Sequence, residues 1–210
     1  MKNIKSILVL FVIALTVVAM APALTPHDIV GTPAQSVLLN KMPGAPKKDS
    51  AISARAFMKV YKVLMSPRCL NCHPSGDVPL QGDDSHLHTM LPRRGKDGKG
   101  LYAMKCTNCH QPENSPGPNS PPGNPTWHLP PSDMKMVFQG KTAHQLAKQL
   151  VDPKRNGHKN MDQLLEHVSD SLVVWGWSPG EGRTKPPLSY EEFKTEWIKW
   201  IETGAYAPKK

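Results

Sequence analysis

Apolar residues recur at helical spacing over residues 51–65, where Ile52, Phe57, Met58, Tyr61, Leu64 and Met65 fall on a period of three to four. Asp49 or Ser50 can cap this segment and Pro67 bars its continuation, so the pattern predicts a helix that delivers the chain to Cys69. Three further helices are predicted. Residues 142–151 open at a capping threonine and stop before Pro153, and residues 161–168 carry Leu164 and Leu165. Residues 189–203 open with a Ser189–Glu192 capping box and close at Gly204, a left-handed stop. The stripe Phe193, Trp197, Trp200 and Ile201 on the last of these reads as core.

Between the helices the pattern dissolves. Residues 74–100 are polar and turn-rich and read as loop, with His86 and His88 in an H-L-H run. Residues 112–131 hold eight prolines, which excludes helix and central strand. That stretch is either a slack linker or a stiff wrap over a cofactor edge, and Trp127 and His128 within it favour the wrap. No long alternating run argues for strands. The expected fold class is mainly α with long Pro/Gly-rich loops.

The N-terminus carries a different pattern. Lys2 and Lys5 precede an uncharged run over residues 7–21, followed by Ala21-Pro22-Ala23. This is the layout of a signal peptide, with cleavage after Ala23, because a cut after Ala21 would leave Pro22 just beyond the scissile bond. The run is shorter than the roughly 18 residues of a spanning helix, and no second apolar span follows. The expected organisation is a signal peptide over 1–23, an extended leader over 24–49, and one domain over 50–210, exported to the periplasm with no membrane span in the mature chain.

Removal of Lys2 and Lys5 lowers the formal charge from +9 to +7. That balance permits docking to an acidic partner protein. No basic tract or aromatic-basic stripe points to nucleic acid. Aromatics are 6% of the chain and 22 of its 210 residues are proline, which leaves little apolar material for a core. A large, flat, apolar cofactor would supply the missing buried surface.

The chemistry lies in a duplicated motif. R-C-L-N-C-H-P and M-K-C-T-N-C-H-Q together use all four cysteines. C-x-x-C-H in an exported chain is the attachment pattern of haem c. Two intervening residues let both sulfurs reach neighbouring vinyl groups of one macrocycle, and the next histidine swings under the ring to bind the iron. A four-cysteine zinc site needs no histidine after each pair and uses a shorter gap between pairs. A thioredoxin-like dithiol wants a βαβ setting, and two disulfides leave the paired histidines unexplained. The expectation is two covalent haem c groups, one on Cys69 and Cys72 with His73 as proximal ligand, the other on Cys106 and Cys109 with His110.

The sixth ligands stay open. His86 and His88 stand two apart and do not both ligate one iron. His128 sits in a stiff setting before a Leu-Pro-Pro run. His167 lies on the side of its helix near Leu164. These make His88, His128 and His167 the distal candidates, with Met134 and Met136 as a methionine alternative of higher potential. His144 and His158 read as surface, and His27 lies in the leader.

The motifs, with P-L-Q-G-D-D-S-H-L-H, P-G-N-P-T-W-H-L-P-P and L-V-V-W-G-W-S-P-G-E-G-R, resemble exported bacterial di-haem cytochromes c of the kind labelled isoquinoline 1-oxidoreductase subunits. The resemblance runs from the first motif nearly to the C-terminus. It implies an electron-transfer role with a molybdenum hydroxylase or other dehydrogenase as donor and a cytochrome or oxidase as acceptor. It also raises His88, His128 and His167, each of which lies in one of those stretches. The chain itself shows no molybdopterin or iron–sulfur motif. The alternative is a small, peroxidase-like haem enzyme with one open iron position.

Overall fold

The computed structural model describes residues 48–210, which fall within one compact unit. The expected signal peptide over 1–23 and nearly all of the leader lie outside the described residues.

The described residues form six α-helices, two minimal hairpins and one 3-10 turn. The helices are α1 (Ser50–Leu64), α2 (Pro67–Leu70), α3 (Ala143–Leu150), α4 (Met161–His167), α5 (Ser171–Trp175) and α6 (Tyr190–Glu202), with strands β1 (Leu80–Gln81), β2 (His86–Leu87), β3 (Gly100–Leu101) and β4 (Met104–Lys105). β1 pairs with β2 and β3 with β4, both antiparallel. The mainly α class is as the sequence pattern implies.

Local chemistry explains where the helices begin. Asp49 accepts hydrogen bonds from the amides of Ala51 and Ile52 at 2.9 Å each and so caps α1. Capping boxes open α3 at Thr142 with Gln145, α4 at Asn160 with Gln163, and α6 at Ser189 with Glu192. Gly204, at φ 114°, follows the last turn of α6.

The core is the seam between α1 and α6, closed by α3 and α4. Phe57, Val60 and Val63 of α1 are fully buried with Trp200 of α6, Leu146 of α3 and Leu164 of α4. Phe57 and Trp200 meet with ring centroids 4.7 Å apart. The expected stripe of Phe193, Trp197, Trp200 and Ile201 is buried throughout, so its role is packing. A polar clasp fixes the register of the two helices. The buried Ser53 hydroxyl donates to the Trp200 carbonyl at 2.9 Å and accepts from the Tyr206 amide at 2.9 Å. The Asp49 amide donates to the Thr203 carbonyl at 2.9 Å, so the start of α1 lies at the end of α6.

This bundle holds one end of the functional region rigid. α1 ends at Leu64, and Ser66 bonds back to the Val63 carbonyl. Pro67 then takes the first position of α2 rather than simply ending a helix. The stretch read as loop over residues 74–100 contains the β1–β2 hairpin, whose two-residue strands are too short to leave a periodic signature.

Two cavities, one for each cysteine motif

α2 carries Arg68 and Cys69, and a run of turns after it presents Cys72 and His73. The His73 carbonyl accepts from the Phe138 amide at 2.9 Å, which draws the loop ahead of α3 over the imidazole. The rings of His73 and Phe138 stack with centroids 3.9 Å apart. The His73 Nδ1 lies 2.7 Å from the Met136 carbonyl. A carbonyl only accepts, so Nδ1 carries the proton and the Nε2 lone pair is left to bind a metal. Met136 makes this contact from a left-handed backbone, φ 51°. It therefore serves His73 through its main chain.

The second motif is built the same way from unrelated parts. β4 leads into a 3-10 turn over Cys106–Asn108 that brings Cys109 and His110 around. The His110 Nδ1 donates to the Pro122 carbonyl at 2.7 Å, and its ring stacks on Trp127 with centroids 4.2 Å apart. Here too Nε2 is free. The acceptor carbonyl lies 63 residues beyond the histidine in the first motif and 12 residues beyond it in the second.

Each motif opens on its own cavity. The first, about 460 Å³, is lined by Cys69, Cys72 and His73 with His128, His158 and His167. The second, about 500 Å³, is lined by Cys106, Cys109 and His110 with His86, His88 and Met90. Both volumes fall in the range of cofactor sites, roughly 300–1,000 Å³. Arg68, Cys72, Trp127 and Trp175 line both, so the two cavities share a wall. Trp127 and Trp175 meet edge to face in it, 4.9 Å between centroids.

The candidate distal ligands divide between the cavities. His88 faces His110 with ring centroids 6.3 Å apart and planes 69° from parallel. One metal bonded to both rings would need this span, since a metal–imidazole bond of about 2 Å plus roughly 1 Å to the ring centre, taken twice, gives about 6 Å. His86 is exposed and donates from Nδ1 to Asp84 at 2.6 Å. His128 and His167 both border the first cavity, and each has its Nδ1 proton engaged, His128 by the Thr126 carbonyl and His167 by the Asp170 carboxylate. His167 is half-buried, whereas His128 is exposed. Among the described residues His73 has no imidazole partner at the His88–His110 spacing.

His158 is exposed, as expected, yet it edges the first cavity. His144 departs from the surface reading, because its Nδ1 donates to the Pro208 carbonyl at 2.7 Å and ties α3 to the C-terminal tail.

Burial sets the electrostatics. It pushes the Cys69 thiol up to about 12 and Cys72 to about 11, raises Cys106, and drives His73 down to about 4. The partial exposure of these side chains is to a cavity rather than to bulk water. A redox dithiol requires the opposite shift, toward the thiolate. The four cysteines are unbridged. Among the described residues no three His, Cys, Asp or Glu side chains stand together to share one metal ion, so the geometry gives no support to a zinc site. Two separate donor sets, each a cysteine pair, a metal-ready imidazole and a largely apolar cavity, fit two haem groups.

Sequence reasoning missed the buried arginines. Arg94 is fully buried and donates to the Pro130 carbonyl at 2.6 Å and the Gly76 carbonyl at 3.3 Å. Arg68 is 6% exposed. Both leave Nε without an acceptor, which a cofactor carboxylate could supply. An arginine beside a cysteine motif in a polar stretch carries no sequence signal of burial.

The 112–131 segment is not a slack linker. It is pinned by Ser115 to Pro121, Asn119 to Glu181, Asn124 to Gln111 and Leu129 to Gly98, all backbone bonds of 2.9–3.1 Å. Gly98 permits the last contact, since a Cβ there would sit 1.8 Å from the Leu129 carbonyl oxygen. No family model, curated protein or solved structure matches the chain.

Proposed function

We propose that this chain is an exported electron-transfer protein with two covalently bound c-type haems. It would accept electrons from a dehydrogenase or molybdenum hydroxylase partner and pass them to another cytochrome or an oxidase. The observation that carries this reading is the repetition of one local design in two unrelated settings. Each C-x-x-C-H motif ends in a histidine whose Nδ1 proton is held by a carbonyl and whose ring lines a cavity beside its own cysteines. When bound, each haem would supply a one-electron iron couple.

The chain's residues then have defined tasks. Cys69 and Cys72 hold one macrocycle and Cys106 and Cys109 the other. Met136 and Pro122 fix the tautomer of His73 and His110 through their carbonyls. Phe138 and Trp127 fix the ring planes by stacking. His88, opposite His110, would be the second imidazole offered to that iron, and His167, oriented by Asp170, is the corresponding candidate for the first cavity. The shared wall of Cys72, Trp127 and Trp175 puts the two sites in direct contact.

The test is production of the chain with a working c-type maturation apparatus. The expected product has a mass raised by two haems and a Soret band of which two haems per chain account for all the absorbance. Colourless protein of plain polypeptide mass overturns the reading.

One observation favours a second reading, a small haem enzyme. His73 lacks the close imidazole partner that His110 has, and an iron without a sixth ligand binds small molecules. Carbon monoxide added to the reduced wild-type protein separates the two. A carrier with both irons six-coordinate leaves its spectrum unchanged, and an open first site does not.

A further inference from the structure

The wall between the cavities contains one buried charge. Arg68 lies on α2, one residue before Cys69, and lines both cavities. Its Nη2 donates to Asp83 at 2.5 Å and to the Gly82 carbonyl at 3.2 Å, while its Nε has no acceptor. Asp83 is itself anchored by the Thr184 amide at 3.0 Å and the Thr184 hydroxyl at 2.6 Å.

The two partners of this ion pair are not equally placed. The Arg68 side chain is 3% exposed and that of Asp83 40%. Water screens the carboxylate far better than the guanidinium, so the pair does not cancel as seen from the cavities. Its net field there is positive. Burial lowers the Arg68 pKa only from its very high ordinary value, and Asp83 opposes the shift, so the group stays charged.

We propose that Arg68 is a shared electrostatic control of both cofactor sites, one fixed positive charge that raises the reduction potentials of the two haems together. The inference rests on the two-haem reading above. An added electron is stabilised by a nearby positive charge, and the low-dielectric wall transmits that effect to both sides. Arg68 acts as a positioning residue and touches neither iron. Arg183 lines the second cavity alone, so its effect on that site exceeds its effect on the first.

The test is a spectroelectrochemical titration of the haem-loaded protein that resolves both midpoints. Arg68→Gln lowers both. Arg68→Lys, which keeps the charge, leaves them near wild type. Asp83→Asn, which removes the opposing charge from the exposed side, raises both. Opposite signs for Arg68→Gln and Asp83→Asn are not produced by loosened packing. The inference is overturned if only one haem responds, if the lysine variant falls as far as the glutamine variant, or if the two substitutions shift the midpoints the same way. Should Arg68→Gln fail to fold, the lysine and Asp83→Asn variants decide alone. Wild-type protein lacking two haems sinks the parent reading, a result distinct from any of these.

Discussion

His88 and His110 line the same cavity with ring centroids 6.3 Å apart. That separation suits a single iron between them, so in a protein carrying the two proposed haems His88→Ala is expected to convert one of them from low spin to high spin and to open it to carbon monoxide. Reduced-minus-oxidised spectra with and without the gas read this directly. His86→Ala, two residues away and turned to Asp84, leaves the spectrum unchanged.

The first cavity is lined by His128, His158 and His167 beside His73, and of these three His167 alone is half-buried, with its Nδ1 proton held by the Asp170 carboxylate. His167→Ala is expected to open the other haem to carbon monoxide, and His128→Ala is not. Asp170→Asn should weaken that ligation without abolishing it, roughly 10-fold or more in apparent ligand affinity, because the carboxylate orients the imidazole.

Met136 holds the Nδ1 proton of His73 from a backbone at φ 51°. A β-branched side chain tolerates that conformation poorly, whereas asparagine visits it readily. Met136→Val should cost about 2 kcal/mol of stability in urea denaturation and Met136→Asn clearly less. Equal losses would mean that the side chain, not the backbone, is what the position needs.

Trp200 is fully buried at the α1–α6 seam, where its indole donates to the Tyr206 carbonyl at 3.1 Å. Trp200→Ala is expected to cost about 4 kcal/mol and to lower the thermal midpoint far more than the exposed Tyr102→Ala.

Glu196 lies buried on α6 between Lys59 at 2.9 Å and Lys199 at 3.0 Å. Burial works to raise its pKa, but the two ammonium groups outweigh it and hold the carboxyl below its ordinary 4.5. A depressed pKa in the folded state means that the unfolded chain takes up the proton first. The stabilisation is therefore complete above about pH 4.5 and is lost as pH falls through the folded value. Urea midpoints measured from about pH 6 down to about pH 3 should fall for wild type and fall less steeply for Glu196→Gln.

The long elements were legible because period and capping chemistry agree. Helices α1, α3, α4 and α6 lie within a residue of where Asp49, Thr142 and Ser189 and the apolar spacing put them. Helix α5, five residues of Ser-Leu-Val-Val-Trp, spans less than two turns and each strand a single pleat, too short for a recurring pattern, so they left no trace. The motif cysteines and histidines were legible as a set. What serves them was not, because the groups that orient His73 and His110 are the backbone carbonyls of Met136 and Pro122, and every residue has a carbonyl. The choice of His88 over His86 likewise depends on how the β1–β2 hairpin turns, and Arg68 gives no hint in sequence that it is shared by two cavities.

The proline-rich segment has one more consequence. A protease must draw several residues of backbone into its cleft, and connecting segments usually provide that slack. Here the longest run without helix or strand among the described residues is crossed by main-chain bonds at Ser115, Asn119, Asn124 and Leu129. Cleavage should therefore start elsewhere, at the basic tip around Lys96 and Lys99 or at the C-terminal lysines, and residues 112–131 should be among the last peptides released.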